Sequence, residues 1–169
     1  MSDLIKKTLL IMAAGVLSSA VQATDLRISG MVVASPCTVD SSSVSQDVDF
    51  GQVSLSEMRA NGNASDWKPF VVKLINCPQG TTAVTATFSG TPATADATLY
   101  ANTGTAINAA VQVVQDANKT LVQGDGTSMT VSVDALHNAT YALAGRLINF
   151  NDTTAGSFRS IVQMNFTYQ

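Results

Sequence analysis

The sequence predicts an all-β fold, a single β-sandwich, from three observations. Short β-branched runs lie between Gly, Asn, Asp, Ser and Thr punctuation that recurs every 8 to 12 residues. Several runs alternate apolar and polar residues, the period-2 pattern of strands with one buried face, and no segment carries a convincing helical period. Apolar residues make up 46% of 169 residues, enough for a packed core, while no linker or fixed-period repeat divides the chain.

The first 23 residues read as a signal peptide that is removed. Lys6 and Lys7 form a basic start, residues 8–20 are apolar, and Val21-Gln22-Ala23 puts small residues at the −3 and −1 positions of a cleavage site. The apolar run is shorter than the roughly 20 residues a membrane span needs. Cleavage after Ala23 leaves 146 residues with seven Lys+Arg and eleven Asp+Glu, a net charge of −4. Export places the chain in an oxidising compartment. Cys37 and Cys77, the only cysteines, then read as one disulfide, the alternative being two buried free thiols. Such a cross-link stabilises by ~4 kcal/mol in the chain-entropy account.

Strand-like segments follow in order. Leu26, Ile28, Gly30 and Val32 alternate with Arg27, Ser29 and Met31, directly after the cleavage site. This is either a first strand of the sandwich or an extension suited to pairing with another molecule. Residues 55–66 have room for one short helical turn, which Asn61-Gly62-Asn63 would break. Runs at 71–75, 84–88, 111–114 and 129–133 predict strands. Asp116-Ala117-Asn118-Lys119 and Gly124-Asp125-Gly126 predict connections. At the C-terminus Val162, Met164, Phe166 and Tyr168 alternate with Gln163, Asn165 and Thr167, the most regular strand in the chain. An exposed apolar edge invites aggregation, so this strand predicts either burial within a sheet or an added strand beside it.

Three segments together resemble the chaperone–usher fimbrial subunit family, most closely its FimG-type minor (adaptor) pilins of type 1 fimbriae. They are Val32-Val33-Ala34-Ser35-Pro36-Cys37-Thr38-Val39, Asn76-Cys77-Pro78-Gln79-Gly80-Thr81 and Thr85-Ala86-Thr87-Phe88-Ser89-Gly90. Tyr168 is penultimate and Gly156 fourteenth from the end, as in the family's terminal motif. The resemblance spans essentially the whole mature chain. It implies an incomplete immunoglobulin-like β-sandwich, completed by a donor strand from another subunit or a chaperone. Residues 24–33 would be the donor extension, with Leu26, Ile28, Gly30 and Val32 at its pairing positions, and residues 34–169 the pilin domain. Gly156, Val162, Met164, Phe166 and Tyr168 would form the groove and chaperone-pairing set. Fewer residues precede Gly30 than in the FimG-type pattern. Burying Leu26, Ile28 and Val32 in a neighbour is worth ~5–9 kcal/mol before ordering costs. Implied partners are a periplasmic chaperone, an outer-membrane usher and neighbouring fimbrial subunits, on a route through the periplasm to the surface fimbrium. The implied role is structural, in adhesion through the fimbria.

Other functions fit poorly. A net charge of −3 for the full chain excludes a polybasic nucleic-acid binder. One histidine and two cysteines are too few for a conventional zinc site, and no cofactor is expected. His137 sits in the turn-like Asp134-Ala135-Leu136-His137-Asn138 with no nucleophile motif, so no enzyme is expected. Five Asn-X-Ser/Thr sites, starting at Asn63, Asn118, Asn138, Asn151 and Asn165, read as chance in so Asn- and Thr-rich a chain. The surviving alternative is a self-contained secreted binding module, whose candidate sugar-stacking rings are Trp67, Tyr100 and Tyr141.

Overall fold

The computed structural model of the chain describes residues 27, 29–31, 36–60 and 63–169. The chain divides into two compact units, Met1–Val32 and Val33–Gln169. In the first unit the described residues, 27 and 29–31, are all exposed. The predicted signal peptide, Leu26, Ile28 and Val32 lie outside the described residues, as does most of the predicted extension.

The second unit is a sandwich of antiparallel strands with one short helix among its described residues. In chain order the elements are β1 (Thr38–Val39), α1 (Leu55–Ala60), β2 (Lys68–Ile75), β3 (Ala83–Gly90) and β4 (Tyr100–Ala101). Then come β5 (Ala109–Gln115), β6 (Asn118–Val122), β7 (Ser128–Ser132), β8 (Ala139–Asn149) and β9 (Val162–Tyr168). One sheet has the order β1-β2-β8-β5-β4 with β6 on β5, and the other has the order β7-β3-β9.

β8 is the spine of the larger sheet. Its pairing with β2 runs from Lys68↔Gly145 to Leu74↔Ala139, and with β5 from Ala109↔Asn149 to Gln115↔Leu143. Tyr141, Leu143 and Leu147 point from it into the core. Across the sandwich β3 answers with Val84, Ala86 and Phe88, while its outward Thr85 and Thr87 bond Thr130 and Ser128 of β7 at 2.8 and 3.1 Å. The two layers are stitched by a phenol: the Tyr141 hydroxyl donates to the Val84 carbonyl at 2.8 Å. A second tyrosine, Tyr100, donates to the Gln123 carbonyl at 2.9 Å. Its ring lies so close to Gly90 that a Cβ there would meet ring carbons at 2.7 Å. Cys37 and Cys77 are bonded and buried, tying the entry to β1 to the exit of β2.

The predicted runs fall within β2, β3 and β5, and that at 129–133 overlaps β7. α1 ends at Ala60, just before the predicted breaker. Asp116-Ala117 is a two-residue turn between β5 and β6, with Lys119 already inside β6 and ion-paired with Asp116. The segment at Gly124–Gly126 carries the chain to β7, in the other sheet, with Gly126 at a positive φ of 76°.

Candidate functional site

At β9 pairing and burial fall out of step. Its register on β3 runs Val162↔Gly90, Met164↔Phe88, Phe166↔Ala86 and Tyr168↔Val84, so both strands turn matching residues inward. On β3 those side chains are sealed, Val84 and Ala86 at 0% exposure and Phe88 at 1%. On β9 Val162, Met164, Phe166 and Tyr168 are only half-buried, although they pack on the same core. The neighbours explain the difference. β3 lies between β7 and β9, whereas β9 pairs with β3 alone among the described residues. Inward side chains are covered by those of both flanking strands, so an apolar edge strand keeps one flank open.

Tyr141 lies beneath this edge. Its ring centroid is 5.7 Å from that of Phe166, at an interplanar angle of 43°. Burial, and then the nearness of Tyr168, raises the Tyr141 phenol well above its ordinary value, and burial raises that of Tyr168. The far end of β9 is held by main chain: the Gln169 carbonyl accepts from Thr82 N–H at 2.7 Å, and Gln169 N–H donates to Ala83 O at 3.0 Å.

A second unpaired stretch reaches the start of β9. Residues 47–53 make no backbone–backbone hydrogen bond among the described residues. Within them Val48 and Phe50 are half-buried while Asp47 and Asp49 are exposed. Phe50 meets Phe158 edge-on, with centroids 5.7 Å apart, and both share an apolar cluster with Val162. The sequence reading passed over this stretch. Its signal was available in the alternation of Val48 and Phe50 with Asp47 and Asp49, but two periods are too few to stand out.

The structure thus brings Val162, Met164, Phe166 and Tyr168 onto one face of one edge. Gly156 is not on that strand. It precedes β9 by six residues and lies against another loop, where a Cβ would meet Ala106 N at 2.6 Å and the Thr105 carbonyl carbon at 2.8 Å. Of the predicted donor positions only Gly30 is described, and it is exposed.

The rings considered for sugar stacking are engaged elsewhere. Tyr100 and Tyr141 are fully buried. The Trp67 ring is covered by Arg146, whose guanidinium carbon is 4.3 Å from the centroid, with Lys119 Nζ at 5.6 Å. His137 is a turn residue: its N–H donates to Asp134 O at 3.0 Å and its carbonyl accepts from Cys77 N–H at 2.9 Å. No group of three potential metal-ligating side chains occurs among the described residues.

An antiparallel sandwich ending on a half-covered apolar edge defines an immunoglobulin-like subunit with room for one more strand. The chain belongs to the fimbrial protein family, whose model matches residues 26–169. It is 37% identical to protein FimG of Escherichia coli (strain K12) over 156 residues, covering 89% of each chain. It is 32% identical to long polar fimbria protein A of Salmonella typhimurium over 148 residues, covering 85% of this chain and 83% of that one. Among solved structures the P pilus rod subunit PapA shares the fold, with a TM-score of 0.67 at 21% identity over 80% of this chain and 100% of that chain. The protein is a FimG-like structural subunit of a fimbria.

Proposed function

We propose that the chain is a minor, adaptor-type pilin polymerised by donor-strand exchange. The observation that carries the reading is β9: Val162, Met164, Phe166 and Tyr168 all face inward from a strand paired on one side, and all are half-buried. An added strand would interleave its alternate side chains with theirs and satisfy the free backbone groups of the edge. In the periplasm a chaperone supplies that strand, and at the outer-membrane usher the extension of a neighbouring subunit replaces it. This chain in turn gives Leu26, Ile28, Gly30 and Val32 to the subunit ahead, after a signal peptide over residues 1–23 has been removed. No nucleotide or cofactor is needed, because the burial each strand completes drives the exchange. The 37% identity to FimG favours the minor subunit over a rod subunit.

The test is to append a flexible linker and a copy of a partner subunit's donor strand beyond Gln169. The linker makes strand addition intramolecular, at roughly millimolar effective concentration. The extended protein is expected to be a chaperone-free monomer with one cooperative transition and a much higher melting temperature than the unextended chain. An unextended chain lacking residues 24–32 that stays monomeric and melts equally high would overturn the reading.

A further inference from the structure

The connection from β8 to β9 is gripped by the loop after β4. Arg159 O accepts from Thr103 N–H at 2.8 Å and from its hydroxyl at 3.0 Å, while Arg159 N–H donates to Asn102 Oδ1 at 2.8 Å. Ala106 N–H donates to Ser157 O at 2.9 Å, Ser157 N–H to Thr105 Oγ1 at 2.9 Å, and Thr105 N–H to Ser157 Oγ at 3.2 Å. Asn102 closes its own loop, accepting from Gly104 N–H at 2.9 Å and donating to Ala106 O at 2.7 Å. Two glycines make the approach possible. A Cβ on Gly156 would strike the Thr105–Ala106 backbone, and one on Gly104 would come closer still to Ser157 O. Neither has a positive φ, so what each position requires is space and not a special backbone conformation.

This clasp ends three residues before the start of β9, the strand that has one partner among the described residues. The next residue pair is also tight, since a Cβ on Gly90, opposite Val162, would lie 2.9 Å from Ile161 O. An edge strand with one ladder and half-covered side chains is the element most prone to local opening. With Gln169 tied to Thr82 and Ala83 at the other end, the clasp supplies the missing support at the Val162 end.

We propose that Gly156 and Gly104 are positioning residues for strand capture: by closing the clasp they hold β9 in register before an added strand arrives, without touching that strand. The inference rests on the acceptor-edge reading above, and assigns Gly156 to edge preorganisation where the family resemblance placed it in the groove and chaperone-pairing set. Preorganising one partner lowers the ordering cost of binding.

The experiment uses the subunit released from its chaperone in the presence of a synthetic peptide copying the N-terminal extension of the fimbrial subunit that follows it in the fibre, with capture rate and amide hydrogen exchange as readouts. Gly156→Ala and Gly104→Ala are expected to speed exchange of the β9 amides and to slow peptide capture, each about tenfold, since overpacking a tight contact favours the locally open form. Gly124→Ala is the control. Its Cβ would meet Thr98 O at 2.7 Å, a contact outside the clasp about as close as the 2.6 Å one at Gly156, so it should lower the melting temperature while leaving β9 exchange and capture unchanged. Should Gly156→Ala not fold, the Thr105→Ala/Ser157→Ala pair removes the side-chain bonds of the clasp and should move both readouts in the same direction. Wild-type capture rates in the clasp variants, or equal effects from Gly124→Ala, would overturn the inference. A wild-type chain that captures no peptide would instead overturn the acceptor-edge reading.

Discussion

β8 and β9 are both long apolar strands, yet they live in different surroundings. β8 has β2 on one edge and β5 on the other, and its inward Tyr141 and Leu143 are sealed. Its outer face is also partly roofed, with Ala144 buried and Arg146 stacked on the Trp67 ring. Among the described residues β9 has one partner, and it shows half-open inward side chains and an exposed outer face of Gln163, Asn165 and Thr167. The same kind of side chain therefore does two jobs. On β8 it holds an existing core together. On β9, in the proposed acceptor role, it would hold part of a core in reserve until another strand lies beside it.

The largest expected effects separate those two roles. Leu143→Ala leaves a cavity in a finished part of the core and should cost about 2–5 kcal/mol whether or not a donor strand is appended. Phe166→Ala should cost about 3–5 kcal/mol in the strand-appended protein and distinctly less in the open one, because the open ring is still half in water. Chemical denaturation of both variants in both forms checks this. Equal costs for Phe166→Ala in the two forms would mean that β9 is no more an acceptor than β8.

Legibility in the sequence followed the same division. β9 was readable residue by residue, because one wet face forces strict alternation of Val162, Met164, Phe166 and Tyr168 with polar neighbours. β8, the spine of the sandwich, was not recognised as a strand. Its outer face is partly covered and carries Ala142, Ala144 and Ile148 in place of polar residues, and these with Gly145 blur the period that Tyr141, Leu143 and Leu147 would otherwise mark. Residues 47–53 were missed for a further reason: an extended stretch with no ladder partner among the described residues carries only two alternating apolar positions, Val48 and Phe50, before Gly51 and Gln52 put Val53 out of step. Gly156 was found by resemblance, but its place against the loop at Thr105 and Ala106 depends on contacts far apart in sequence, which no local pattern encodes.

A smaller effect tests the cystine that fixes the start of β1 against the end of β2, on the β8 side of the sandwich. Replacing Cys37 and Cys77 together by Ser should lower stability by about 3–4 kcal/mol. The donor-appended protein should keep its cooperative transition at a reduced midpoint, since the β3–β9 edge does not depend on the cross-link. Loss of peptide capture out of proportion to that reduction would show that the cystine shapes the edge itself.

The phenol between the layers predicts a pH dependence. Burial holds Tyr141 neutral, raising its titration above the ordinary 10.0. Stability from the neutral form is complete below about pH 10 and is lost as pH rises past it, because only the unfolded chain then ionises freely. Tyr141→Phe should cost about 1 kcal/mol at neutral pH through the lost bond to Val84 O, and should flatten the alkaline decline. Melting temperatures at pH 8 and above 10 for both proteins measure it. An unchanged alkaline slope would mean that Tyr141 is not the group responsible.

The smallest effect lies on the outer faces. Arg146 stacks on Trp67 at 4.3 Å and donates from Nε to Gln112 Oε1 at 2.7 Å, so β8, β5 and the residue leading into β2 are tied across the top of the sheet. The equivalent face of β9 has two 3.4 Å contacts, from Asn165 Nδ2 to Ser89 Oγ and from Thr167 Oγ1 to Thr85 O, both at the margin of a hydrogen bond. Arg146→Ala should therefore cost about 0.5–1 kcal/mol, the range of a surface cation–π contact. Asn165→Ala should cost almost nothing. Trp67 is the only tryptophan in the chain, so its fluorescence reports this face alone. Arg146→Ala should make the emission more accessible to acrylamide, and Asn165→Ala should leave it as it was. If quenching rises equally in both, the roof over β8 is not built by Arg146, and the contrast between a covered strand and a bare one holds only for their inward faces.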